Sequence, residues 1–418
     1  MMSVLESDLN VDEVQRRTLR VLWASSILSR GAFSAMFPVS VLAIKDILDN
    51  ETWAGLGSGA STAGGAIAAT VLATIMTRRG RNHGLTLGFT VALGGGVLGV
   101  IAIQASSLWL FLMAMALLGA GNGTSNLSRY AAADLSSPER RSRDLSTVIF
   151  ASTFGAVLFP LSIGITGDIA ESFDLDRNTG GFGLSAILLV LAAGTVFLFM
   201  RPDPLKVAGG VDATATRKSH AVPFRQAIAV AWSHPIARLA VVALVISQTV
   251  MVMVMTMTPL HMDEHGHSDG IIGAVISTHT AGMFAFAPVA GWISDKYGRL
   301  PTIGLSGITL IVATAMTALA GEAPEVLMFP GLFLLGLGWS FGIVAGSALL
   351  SESVADSERV IVQGAADTAT AIASGTGAIA SGFVLSMAGF HILSVIGMAG
   401  SGALMIHAAF ERRVVRPA

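Results

Sequence analysis

The stretch Gly291-Trp292-Ile293-Ser294-Asp295-Lys296-Tyr297-Gly298-Arg299 decides how the chain is read. It closes one apolar run near 270–293 and leads into another near 302–321. Each run is long enough to cross a hydrocarbon core of about 30 Å as a helix. A basic, glycine-containing turn between two such runs belongs at a membrane surface. A partial copy, Thr77-Arg78-Arg79-Gly80-Arg81, lies 218 residues earlier (295 minus 77). Gly119-Ala120-Gly121 and Gly336-Leu337-Gly338 repeat at an offset of 217 (336 minus 119). Two independent landmarks at nearly one offset argue for a duplicated unit.

Working outward, apolar runs fall near 19–44, 53–76, 85–106, 108–132, 145–166, 182–200, 236–260, 270–293, 302–321, 326–350, 361–387 and 391–410. The fold expected is an all-α membrane protein, its twelve transmembrane helices arranged as two pseudo-symmetric six-helix bundles. Residues 1–200 form the first bundle and 235–418 the second. Between them, 201–234 reads as a cytoplasmic linker, with Pro202, Pro204, Gly209 and Gly210 among basic residues. Val222 to Ser233 suits a short amphipathic helix on the inner surface.

Composition agrees. Of 418 residues, 53% are apolar and 12% charged, against about 25% charged in soluble domains; the mean hydropathy is +0.70. The net charge of -2 says little, because placement matters more than the sum. With a cytoplasmic N-terminus, Arg78, Arg79, Arg81, Arg140, Arg141, Arg143, Lys296 and Arg299 all fall inside, and the outside loops receive only Lys45 and Arg177. That asymmetry follows the positive-inside rule and puts both termini in the cytoplasm of an inner-membrane protein. Met1 to Arg17 is polar and acidic, so the first apolar run is expected as a retained helix rather than a cleaved signal. The absence of cysteine excludes disulfides, thiolate metal sites and thiol catalysis.

The turn at 291–299 resembles the loop motif of the major facilitator superfamily, a family of transporters, and the likeness extends over essentially the whole chain. The resemblance implies paired halves with substrate near the midplane and alternating access. It makes Gly291, Asp295, Gly298 and Arg299 a conformational latch, with Glu352 at the end of span ten as a further partner. A carboxylate and a guanidinium at a helix end pair with each other and with the helix terminus. In the first half Ala73 and Thr77 replace the motif's Gly and Asp. There Asp134 is left to meet Arg78 or Arg81, and the first latch is expected to be weak. Within the superfamily the chain looks most like the drug:proton antiporters. Arg30-Gly31-Ala32-Phe33 with Pro38 in span one resembles their pattern. So does Gly155-Ala156-Val157-Leu158-Phe159-Pro160 with Gly164 in span five, although Phe159 and Ile163 stand where Gly is usual. Met115 takes the place of that branch's Arg in span four.

An ionisable group deep in a span is a functional candidate by default. Arg30 lies halfway along span one and suits an anionic substrate or a titrating acid. Asp367 in span eleven shares a face with Gln363, Thr370 and Ser374, and desolvation there favours its protonated form. His279 in span eight titrates near neutrality, or serves as a hydrogen-bonded packing residue. Asn122 and Asn126 in span four share a face with Arg129, which snorkels. Arg30, Asn122, Asn126, His279 and Asp367 are therefore the candidate substrate and coupling residues. Met251 to Met257 alternates Met and leads to His261, His265 and His267. Thioethers and imidazoles suit soft metals, but alternating Met scatters around a helix and packs well, so no metal site is expected. No phosphate-cradling loop is present for ATP-driven transport, and no enzymatic constellation or cofactor is expected. The reading is a monomeric, proton-coupled secondary transporter in the lipid bilayer, exporting a small organic compound, with no nucleic-acid partner. Proton symport of an organic solute inward is the alternative, and a transporter-like receptor or scaffold the more distant one.

Overall fold

The computed structural model describes residues 11–137, 140–211, 224–320, 324–354 and 356–415. Among them the regular structure is helical: α1 (Val11–Leu48), α2 (Leu56–Arg79), α3 (Arg81–Gln104), α4 (Leu108–Ala131), α5 (Arg141–Leu158), α6 (Ile163–Ser172), α7 (Thr179–Phe199), α8 (Pro204–Val207), α9 (Phe224–Ser233), α10 (Pro235–Glu264), α11 (Asp269–Phe284), α12 (Ala287–Tyr297), α13 (Arg299–Leu319), α14 (Pro324–Glu352) and α15 (Asp356–Val415). In lipid a helix satisfies its own backbone polar groups, which is why these apolar runs take no other form.

Eleven stretches among the described residues are long and apolar enough to span a membrane. The last, Val362–Phe410, has 49 residues, about 74 Å of helix, more than twice the hydrocarbon thickness. Gly389, at φ 76° and ψ 170°, interrupts the helical backbone of α15 there and divides it into spans eleven and twelve. Two other spans are broken. A 3-10 turn, Phe159–Ser162, with Pro160 in it joins α5 to α6. The eighth span passes from α11 to α12 at Pro288, which opens the new helix. Twelve spans result.

The chain forms two compact units. Unit one takes the described residues of 1–40 and 60–218. Unit two takes those of 41–59 and 219–418, so the last turns of α1, the 3-10 turn Glu51–Trp53 and the start of α2 belong to it. In unit one α3 packs on α4 and α7, with Phe89, Phe111 and Phe182 fully buried. Unit two centres on α10, which packs on α14 and α15, and on α13, which packs on α14 and α15.

Small residues set these approaches, as expected where lipid supplies no hydrophobic drive between helices. In unit one a Cβ on Gly64 would lie 2.0 Å from the Ala116 carbonyl oxygen, and one on Gly119 would lie 1.9 Å from that of Ser61. In unit two the same crossing recurs: Gly282 meets the Phe333 oxygen at 2.4 Å and Gly336 that of His279 at 2.2 Å. Gly64 and Gly282, like Ser61 and His279, differ by 218; Gly119 and Gly336 differ by 217. The duplication is therefore physical as well as sequential.

Of the expected linker 201–234, residues 212–223 lie outside the described residues. Asp203 caps α8, its Oδ1 accepting from the Leu205 and Lys206 amides at 3.0 and 3.3 Å. The amphipathic helix expected over Val222 to Ser233 is described as α9 (Phe224–Ser233). Its Ala231 is fully buried in an apolar cluster with Leu239, Leu244 and Leu350, so one face packs on unit two, while Trp232 is exposed.

Candidate functional site

At the basic helix ends, Gly80 and Gly298 occupy equivalent turns, with φ of 99° and 96°. Gly298 both ends α12 and begins α13. Arg299 then donates to Glu352 Oε1 from Nε and Nη2 at 3.1 and 2.9 Å, and from Nη1 to Ser294 Oγ at 3.2 Å and to Asp295. A Cβ on Gly291 would meet nothing within 4 Å; its packing places no demand for glycine.

The first-half turn, expected to be the weaker of the two, also has its ion pair. Arg81 donates twice to Asp134, Nε to Oδ2 at 2.8 Å and Nη2 to Oδ1 at 2.9 Å. This fork geometry is the stronger form of the pair. The side chains are only 17% and 10% exposed, against 74% for Asp295 and 54% for Glu352. Arg81 and Arg299 differ by 218, and so do Asp134 and Glu352. Each pair ties helices of its own unit. Thr77, in the place of the motif's Asp, donates to its own helix at the Ala73 carbonyl.

A carboxylate that sequence reading missed completes the first turn: Asp203 Oδ2 accepts from the Asn82 amide at 2.7 Å, at the start of α3. Asn82 Nδ2 in turn donates to the Val196 and Met200 carbonyls at 2.9 and 3.0 Å. The readable signal was Asp203-Pro204, a capping residue before a proline at the first helical position.

Halfway along the spans, each unit carries a polar centre. In unit one Arg30 Nη1 donates to Asn122 Oδ1 at 3.0 Å, linking α1 to α4. Beside it a Cβ on Gly31 would fall 2.3 Å from the Phe159 ring. Phe159 thus fills the room that the span-one glycine leaves, the physical counterpart of its departure from the antiporter pattern. Asn126, one turn beyond Asn122, is exposed; Arg129 lies 5.1 Å from the centroid of the Tyr130 ring.

In unit two the centre is one that sequence reading missed. Trp339 Nε1 on α14 donates to Gln248 Oε1 on α10 at 2.7 Å, and Gln248 Nε2 donates to Ser374 Oγ on α15 at 3.4 Å. Phe284 meets Trp339 edge-on at 5.8 Å. A lone amide inside the seventh apolar run was the available signal. His279 is 1% exposed, and its Nδ1–H donates to the Leu332 carbonyl at 2.9 Å. That bond and the Gly336 approach make His279 a link between α11 and α14. Asp367 departs from expectation, being exposed rather than desolvated. It sits on α15 eleven residues after Asp356 (367 minus 356), roughly 16 Å along the helix.

The histidine segment starts as helix beyond the apolar run near 236–260. α10 remains helical through Pro259 to Glu264, and His261 is buried within it. Among the described residues no three His, Asp or Glu side chains are grouped so as to hold a metal ion.

A family model described as Major Facilitator Superfamily matches residues 22–271 and 240–418. The MFS-type transporter YdeG of Bacillus subtilis (strain 168), called uncharacterized, is 33% identical over 402 residues, 95% of this chain and 92% of that protein. The riboflavin transporter RfnT of Brucella anthropi is 29% identical over 316 residues, 75% of each chain. Among solved structures, a peptide transporter POT aligns at TM-score 0.74 and 14% identity, covering 98% of this chain and all of that one. The xylose transporter XylE from E. coli, in a partially occluded inward open conformation, aligns at 0.68 and 16% identity, covering 97% and 98%. At these identities the structures speak for the fold alone. The family model and the relatives span both units and the repeated turn that joins their helices, and so this multi-pass membrane chain, a secondary transporter and not an enzyme, belongs to the major facilitator superfamily.

Proposed function

We propose that the protein exports a small organic solute in exchange for protons by alternating access. The observation that carries the reading is Arg30, held at mid-span by Asn122. A guanidinium there cannot deprotonate, and its desolvation cost makes it a poor choice for packing alone. It offers an anionic or carbonyl group of a solute the donors it needs. The relative named for riboflavin supports an organic substrate of this size. Asp367 is the proton carrier: an exposed carboxylate on a spanning helix must meet water or protein rather than lipid, and water gives protons a path to it. The basic turns at Arg81 and Arg299 then face the cytoplasm of the inner membrane, and one chain is sufficient for the cycle.

The test is transport in proteoliposomes with an imposed pH gradient, screening organic anions and flavins. Solute leaving the cytoplasmic side as protons enter supports the proposal; solute and protons moving together favours symport. Asp367→Asn keeps size but cannot titrate, so gradient-driven transport should fall at least tenfold while solute exchange persists. Unaltered gradient-driven transport in that variant removes Asp367 from the coupling role.

A further inference from the structure

The geometry points to a second binding site, at the end of unit two opposite the Arg299 turn, for a small protonated organic amine. Here α10 ends, and the 3-10 turn Glu51–Trp53 packs on α15. A cavity of about 300 Å³ is lined by Glu51, Glu264, His261, His265, His391 and Phe390, at the small end of the range for ligand pockets. It lies well away from the mid-span centre: His261 is 13 residues beyond Gln248 (261 minus 248), about 20 Å along the helix.

The walls are held in place. His265 Nδ1–H donates to the His261 carbonyl at 2.7 Å, and His391 Nδ1–H to that of Ala318 at 2.9 Å. The His261 ring stacks on Phe390 with centroids 4.3 Å apart and planes 5° from parallel. Its side is closed by protein: His261 is only 7% exposed, and its Nε2 has no hydrogen-bond partner. An unsatisfied buried nitrogen costs free energy unless something bonds to it.

Across the cavity the side chains of Glu51 and Glu264 are hydrogen-bonded to each other. Two carboxylates in contact need a proton or a cation between them. Lys45 already supplies an ammonium on the outer flank, its Nζ 3.7 Å from Glu264 and 3.3 Å from Asp263. With one proton shared by the two glutamates, and Lys45 counted against Asp263 and the remaining carboxylate, one negative charge stays uncompensated, so anions are repelled. The acceptors are the two carboxylates, matched by the several N–H donors of an ammonium group. Leu385, Ala318 and Phe390 suit its carbon skeleton. A metal ion is the poorer fit, since no three of these ligating groups converge.

The test is isothermal titration calorimetry on the purified full-length protein with phenethylamine and putrescine, with 2-phenylethanol as the neutral control and Zn²⁺ as the metal. At least one amine should bind and 2-phenylethanol should not. Glu51→Gln and Glu264→Gln should each weaken amine binding at least tenfold with little change in melting temperature. Binding of neither amine overturns the site. So does equal binding of 2-phenylethanol, or unchanged affinity in both variants. Zn²⁺ binding that both variants abolish, with neither amine bound, replaces it with a metal site.

Discussion

Gly80 and Gly298 stand at φ 99°, ψ 167° and φ 96°, ψ 161°, a region of backbone space that only glycine enters without strain. Placing another residue there costs about 1–3 kcal/mol. Gly298→Ala should therefore lower unfolding stability in detergent by about that amount. Gly80→Ala should cost more, because its Cβ would also lie 2.4 Å from Asp203 Oδ2. Equal midpoints for Gly298→Ala and the parent in chemical or thermal unfolding would remove the backbone argument. Arg30 makes a different residue-scale prediction. Lysine keeps the charge but not the planar fork, and it loses the reach of Nη1 to Asn122. Arg30→Lys should weaken binding of an anionic substrate about tenfold, or about 1.4 kcal/mol, and change a neutral one little; equal losses for both would mean Arg30 shapes the site without contacting the anion.

Between helix ends, the two ion pairs share positions in the repeat but not environment. Arg81 and Asp134 are largely buried, and removing one partner of a buried pair costs up to about 3–5 kcal/mol. Asp295 is 74% exposed, and Arg299 keeps Glu352 when Asp295 is gone. An exposed pair contributes about 0–1 kcal/mol. Asp134→Asn should thus lower the melting temperature clearly more than Asp295→Asn. Unfolding curves of the two variants decide it, and the reverse order would show that exposure is a poor guide at these turns. Sequence alone pointed the other way: Thr77 replaces the motif's aspartate, so the first latch read as depleted. Beside Thr77 the first turn has a carboxylate of its own in Asp203, 121 residues beyond Asn82 (203 minus 82).

For the whole molecule, the charge asymmetry predicts that the Arg81 and Arg299 turns lie inside. The absence of cysteine allows single-cysteine labelling without background. Ser137, between α4 and α5, and Ser268, before α11, are both exposed. Ser137→Cys should react with a membrane-impermeant maleimide only from the cytoplasmic side, and Ser268→Cys only from outside. Labelling of both from one side would break the twelve-span order; exchange of the two sides would invert the orientation and with it the proposed direction of transport.

Twelve spans, the duplication and the paired turns were legible in the sequence because each depends on local pattern. A hydrocarbon core demands runs of about 20 apolar residues, and a repeated unit leaves its landmarks at one offset. Arg30, Asn122 and Asp367 were legible as residues, since charge and amide groups in an apolar run are conspicuous. Their surroundings were not. Whether Asp367 is desolvated, whether Asp134 or Asp295 makes the more buried pair, and whether Gln248, Trp339 and Ser374 meet depends on which helix faces come together. Those faces are chosen by side-chain packing over long separations, as at Gly64 against Ala116 and Gly282 against Phe333. The helical extension of α10 through Pro259, which buries His261 beside Phe390, was likewise decided by tertiary contacts. A proline and a run of polar residues favour a chain break locally, and only packing on its neighbours keeps the helix going.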